Sequence, residues 1–128
     1  MTKEELIARN RKFAIEVLLT IDVLPNNRIY DALARQLVRS STSVGANYRA
    51  ACRAKSTKDF INKLKIVEEE IDESSYFLDL LHEIDKGQFK QKLNSLLNES
   101  NQLTSIYVAS LKTAKENAKS LKNKNRKS

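Results

Sequence analysis

The sequence predicts an all-α fold, an antiparallel up-down-up-down four-helix bundle. Three observations lead there. The 128 residues include only two glycines and one proline. That is too few for a sheet protein of this length, because each tight turn usually needs one of them. Apolar residues recur at three- and four-residue spacings along four separate stretches. The connections between these stretches are short, which makes sequential helices antiparallel neighbours. The length fits one domain, residues 1–119, that buries about two-thirds of its unfolded surface, followed by a basic tail at 120–128 that is expected to be disordered.

The first helix is expected at about 3–22. Leu6, Phe13, Val17 and Ile21 form its apolar stripe, widened by Ile7 and Leu18. Pro25 closes it, since proline disfavours helical geometry in the residue before it. Asn26 or Asn27 can cap the second helix, expected at about 28–54, whose stripe is Ile29, Leu33, Leu37, Val44, Tyr48 and Ala51. No Gly or Pro marks its end. The phase of the stripe does: it centres near about 190° up to Ala51 and near about 350° from Phe60 onward, so one straight helix cannot face one core with both. The chain must therefore reverse between about Ala54 and Asp59, where Ser56 and Asp59 resemble a capping box.

The third helix is expected at about 57–85, stopped by Lys86-Gly87, and the fourth at about 88–119. Phe89, Leu93, Leu96, Leu97, Leu103, Ile106, Tyr107, Leu111 and Ala114 mark the buried side of the fourth helix. Beyond Lys119 apolar residues almost vanish.

Several function classes find no support. The longest uncharged run, Ser100 to Leu111, is far short of the ~20 apolar residues that span a bilayer. No secretory apolar region follows the first residues, and the single cysteine, Cys52, can form no intrachain disulfide, so a cytoplasmic protein is expected. One histidine cannot furnish the two Glu-x-x-His elements of a di-iron bundle, so Asp79 and His82 read as ordinary helix residues and no metal or cofactor is expected. Cys52 has no histidine near it along the helix and reads as a small buried thiol. Gly45 and Gly87 stand apart, so no glycine-rich phosphate loop is present. The sequence argues against an enzyme.

Charge is more informative. Residues 1–65 carry a net charge of +7, residues 66–111 of −6 and residues 112–128 of +6. Arg28, Arg35, Arg39, Arg49 and Arg53 fall within an arc of about 80° on the second helix, over ~38 Å. Arginine donates two parallel hydrogen bonds to phosphate, and Lys119, Lys122, Lys124, Arg126 and Lys127 would add to such a surface. No aromatic residue interleaves the stripe, so it offers nothing for base stacking. The competing reading is a solvated face paired with Asp31, Glu68, Glu69 or Asp72, or with a neighbouring subunit. On the third helix, Tyr76, Phe77, Leu80 and Ile84 form a second apolar face, and such patches mark protein interfaces. The run Ser40 to Ser43, followed by Gly45 and Ala46, would let a neighbouring helix approach closely.

The segment from Gln36 to Ala51, QLVRSSTSVGANYRAA, resembles the signature of the four-helix-bundle proteins encoded in intervening sequences of bacterial 23S ribosomal RNA genes. The likeness continues through Lys55-Ser56-Thr57-Lys58-Asp59-Phe60, Lys63-Leu64, Ile66, Glu69-Glu70, Glu73, Tyr76 and Leu78 to Leu81, and covers about residues 6–110. The resemblance implies a homopentameric ring without an agreed enzymatic activity. Accessory proteins of diversity-generating retroelements are similar in fold, form basic rings, bind nucleic acid and associate with a reverse transcriptase. By analogy, a reverse transcriptase or a ribosomal component would be a partner. Arg35, Arg39, Arg49 and Arg53 carry over as phosphate contacts. Many relatives have an acidic residue and a glycine shortly after the Asn47 position; Arg49 and Ala51 stand here, making this helix more basic. The expectation is thus a non-catalytic, ring-forming bundle that binds RNA or DNA through its backbone. The alternative is a structural or adaptor oligomer whose arginines form intersubunit salt bridges.

Overall fold

A computed structural model of the chain describes residues 1–127, the Lys127 side chain excepted. Its helices are α1 (Lys3–Val23), α2 (Arg28–Cys52), α3 (Thr57–Ile84) and α4 (Lys90–Lys127). The starts of α1, α2 and α3 are each set by a short side chain satisfying first-turn N–H groups. Thr2 and Glu5 form a reciprocal capping box on α1, Asn27 Oδ1 accepts from the N–H groups of Ile29 and Tyr30, and Ser56 Oγ accepts from Asp59 N. The reversal required by the shifted apolar phase lies at 53–56, between α2 and α3. The α3–α4 turn has a feature the sequence reading did not anticipate. Buried Asp85 accepts from Gly87 N at 2.8 Å and Phe89 N at 3.1 Å, while Gly87 takes a φ of 112°, open to glycine without strain.

Each helix packs on its sequence neighbours, and α4 closes back on α1. Among the described residues the backbones of the diagonal pairs α1–α3 and α2–α4 stay apart, and side chains such as Tyr48 and Tyr107 fill the space between them. Cross-helix bonds give the directions. Arg9 pairs with Glu99 and Glu16 with Lys92, so α1 and α4 run antiparallel. Ser40 bonds Ser74 and Ser75 bonds Ser100, which fits antiparallel α2–α3 and α3–α4 pairs across their short turns. The core between the four helices includes Val17, Val44, Leu64, Val67, Ile71, Leu78, Leu93 and Leu103, all fully buried. Each such side chain contributes about 1.5–3 kcal/mol of transfer free energy.

Several expectations are corrected by the packing. Ile29 and Leu18 are exposed, because they lie about 70° and 120° from the axes of their helices' buried stripes. Cys52 is half-buried rather than enclosed. Gly45 serves α1 within the same chain: a Cβ there would lie 3.4 Å from Asn10 Cβ. The serines beside it close the α2–α3 seam, Ser40 and Ser74 being fully buried and hydrogen-bonded to each other. Ala46 remains exposed. Phe77 packs against the core from the flank of α3.

The fourth helix begins at Lys90 rather than Gln88 and continues well past Lys119. The stretch after Lys119 has a single apolar residue, Leu121, but also lacks any Gly or Pro to stop a helix. The predicted tail residue Ser128 and the Lys127 side chain lie outside the described residues.

Candidate nucleic-acid interface

All five stripe arginines are exposed on the outer face of α2. The structure distinguishes among them. Arg39 Nη2 donates to Glu73 Oε1 at 2.5 Å, and its Nη1 lies 3.3 Å from both Glu70 oxygens. The Glu73 hydrogen bond, then the Glu70 charge, raise the Arg39 pKa further. Among the described residues, Arg28, Arg35, Arg49 and Arg53 form no ion pair. The sequence reading named the wrong α3 carboxylates as partners. Glu70 and Glu73 lie on the flank of α3 that also carries Ser74, the residue bonded to Ser40 of α2. Glu68, Glu69 and Asp72 point elsewhere on the wheel.

The two basic segments of the sequence meet at one end of the bundle. Arg49 and Arg53 stand at the C-terminal end of α2, and the α2–α3 turn adds Lys55 and Lys58. The fourth helix passes this turn: Ala114, Asn117, Ala118 and Leu121 line a cavity together with Lys3, Ala51, Cys52, Ala54, Lys55 and Phe60. Lys115, Lys119, Lys122 and Arg126 recur at three- and four-residue spacings along one edge of this α4 segment, and all are exposed. Lys124 is exposed beside them. The N-termini of α1 and α3 face the same way, their positive dipole ends offset by Glu4 and Glu5 on α1 and by Asp59 on α3. Lys3, Lys55, Lys58 and Lys115 were not picked from the sequence. Their signal was the net charge of their segments, and only the antiparallel geometry brings those segments together.

This pole also holds a cavity of about 630 Å³, floored by Tyr48, Ala51 and Phe60. Tyr48 is buried, its ring 5.5 Å from that of Tyr107. Burial, then the adjoining Cys52 thiol, push its hydroxyl pKa up to about 12, so it is protonated at neutral pH.

Two apolar surfaces face outward. On α3, Tyr76 is 59% and Ile84 39% exposed, whereas Phe77 and Leu80 are half-buried. The Tyr76 and Phe77 rings meet edge-on at 5.6 Å. The second surface is the outer side of α1, with Ile15, Leu18, Leu19 and Val23; Leu19 is 64% exposed. The sequence reading missed it by assigning Leu18 to the core. Among the described residues, no group of three His, Cys, Asp or Glu could hold a metal ion, and no helix is long and apolar enough to cross a membrane.

The family model described as 23S rRNA-intervening sequence protein matches residues 3–109. The chain belongs to this family. The α4 lysines from Lys112 onward lie beyond the residues matched to the 23S rRNA-intervening sequence proteins, so the helical extension is additional to the part they define. A 1.70 Å crystal structure of a protein of unknown function from the S23 ribosomal protein family of Bacteroides thetaiotaomicron is also similar. It is 30% identical, with 88% of this chain and 99% of that chain covered and a TM-score of 0.77. Comparison with curated proteins gives no match.

Proposed function

We propose that this chain is a non-catalytic, ring-forming basic bundle that binds RNA or DNA through the phosphate backbone. The reading is carried by one observation: Arg49 and Arg53, which form no ion pair among the described residues, stand at the same end of the bundle as the lysines of the turn and of α4. A concentrated basic surface of this kind binds a polyanion by releasing its counterions, without reading sequence. Self-assembly is supported by the outward apolar residues Tyr76 and Ile84, and by the apolar outer side of α1. Repetition of the pole around a ring would turn several weak phosphate contacts into one avid surface.

Light scattering coupled to size exclusion, with RNA or duplex DNA at low and moderate salt, tests both parts. A multimer that gains mass with nucleic acid at low salt and loses it at moderate salt is the expected result. A multimer indifferent to nucleic acid favours the second reading, an adaptor whose arginines serve ion pairs. The engagement of Arg39 by Glu70 and Glu73 is the observation on that side. A monomer contradicts the ring.

A further inference from the structure

We propose that the cavity at the basic pole receives one unstacked nucleotide of a single strand, which deepens the nucleic-acid reading and rests on it. The α2 stripe offers no ring for base stacking. The cavity does, from a residue outside that stripe: Phe60 from the first turns of α3 supplies the accessible ring, and buried Tyr48 from the inner side of α2 forms the floor beneath it. Tyr48 is held in place by its contact with Tyr107, while half-buried Phe60 is left with part of its ring accessible. At about 630 Å³ the cavity falls within the ~300–1,000 Å³ typical of ligand sites.

The remaining lining groups suit a nucleotide. Asn117 offers an amide, and Thr57 a hydroxyl, for the edge of a base. Lys3 and Lys55 lie in the wall for the phosphate. The first-turn N–H groups of Thr57 and Lys58 have no partner inside α3, because no helical carbonyl precedes them, and Ser56 Oγ caps the N–H of Asp59 and not theirs. Charge complementarity with the surrounding lysines and arginines favours an anionic occupant, and the pairing of aromatic rings with amide and hydroxyl groups favours a nucleotide over an acidic peptide. A stacked duplex keeps its bases inside and cannot enter. The pole would therefore grip any backbone, and the cavity would add a preference for single-stranded or looped segments.

The test uses fluorescence anisotropy with labelled oligo(A), oligo(U) and a duplex of equal length on the full chain at one low salt. Phe60→Leu keeps an apolar side chain against the core and removes only the ring. It should weaken single-strand binding at least about fivefold, the lower end of base–aromatic stacking, and leave duplex binding unchanged. In parallel, the single-stranded oligonucleotide should slow alkylation of Cys52 by N-ethylmaleimide, since Cys52 lines the same cavity, and the duplex should not. Equal affinity for single strand and duplex, with Phe60→Leu without effect, overturns the cavity proposal while phosphate binding stands. Protection of Cys52 by an acidic phenylalanine-containing peptide, but by no oligonucleotide, assigns the cavity to a protein partner and overturns it as well. Absence of binding to every oligonucleotide removes both readings together.

Discussion

Arg39 Nη2 lies 2.5 Å from Glu73 Oε1, so one arginine of the α2 stripe is already held by a carboxylate of its own chain. This separates it from Arg49 and Arg53 in a measurable way. Each lost phosphate contact lowers the slope of log affinity against log salt by about 0.9. Replacing Arg49 and Arg53 together by alanine should flatten the slope by about 2, whereas Arg39→Ala should leave it nearly unchanged. Binding titrations at three or more salt concentrations decide the matter. Equal flattening by all three would place Arg39 among the phosphate contacts.

Asn10 is buried, donates from Nδ2 to the Tyr107 hydroxyl and leaves Oδ1 without a partner among the described residues. Tyr107→Phe would take away the acceptor and leave the amide wholly unsatisfied. A cost of about 1–3 kcal/mol is expected from urea unfolding. The double variant Asn10→Ala, Tyr107→Phe should cost less than the two singles summed, because the stranded donor is gone.

Gly45 sits inside α2, where its helical cost relative to alanine is about 0.8–1.0 kcal/mol. The Cβ of an alanine would meet Asn10 Cβ at 3.4 Å, an ordinary contact. Gly45→Ala should therefore raise stability by about 0.5–1 kcal/mol, while Gly45→Leu should lower it by forcing α1 outward. A lower urea midpoint for the alanine variant would show that α1 cannot yield even slightly.

The buried Tyr48 hydroxyl predicts a loss of stability in alkali. Its pKa is about 12 in the folded chain against 10.0 unperturbed. Below pH 10 both states hold the proton and the stabilisation is fully present. Between the two values the unfolded chain ionises first, so stability falls as pH rises through that window. Thermal melts should show this decline, and Tyr48→Phe should make it shallower.

The ring reading places an interface on α3. Tyr76→Arg with Ile84→Arg should reduce the scattering mass to that of one chain without loss of helicity. A mass unchanged by these two, but reduced by Leu19→Arg, would move the interface to the outer side of α1.

The fold was legible because its signals are local and redundant. The α2–α3 reversal showed in the shifted phase at Phe60, the cap at Ser56 showed in its residue type and spacing, and the α2 cap was narrowed to Asn26 or Asn27, of which the structure uses Asn27. The end of α4 was not legible. Low apolar content does not stop a helix when nothing in the backbone breaks it, as residues 120–127 demonstrate. The Arg39 partners were missed because their identity depends on which flank of α3 turns toward α2, a tertiary choice revealed by the Ser40–Ser74 bond. The basic pole was half legible: its charges could be counted, but not the register that carries Ala114 to Leu121 past the α2–α3 turn.

The extended end of α4 behaves as a short polyelectrolyte. Lys115, Lys119, Lys122 and Arg126 repel one another along a single edge, each adjacent pair opposing helicity by about 0.2–0.5 kcal/mol. All residues from 119 to 126 are exposed, so little core packing offsets that repulsion. The stiffness of this segment is therefore set by its counterions. It should lose helical ellipticity in dilute buffer and regain it with polyphosphate or a few tenths molar salt, which makes the rigidity of the basic pole a consequence of what is bound to it.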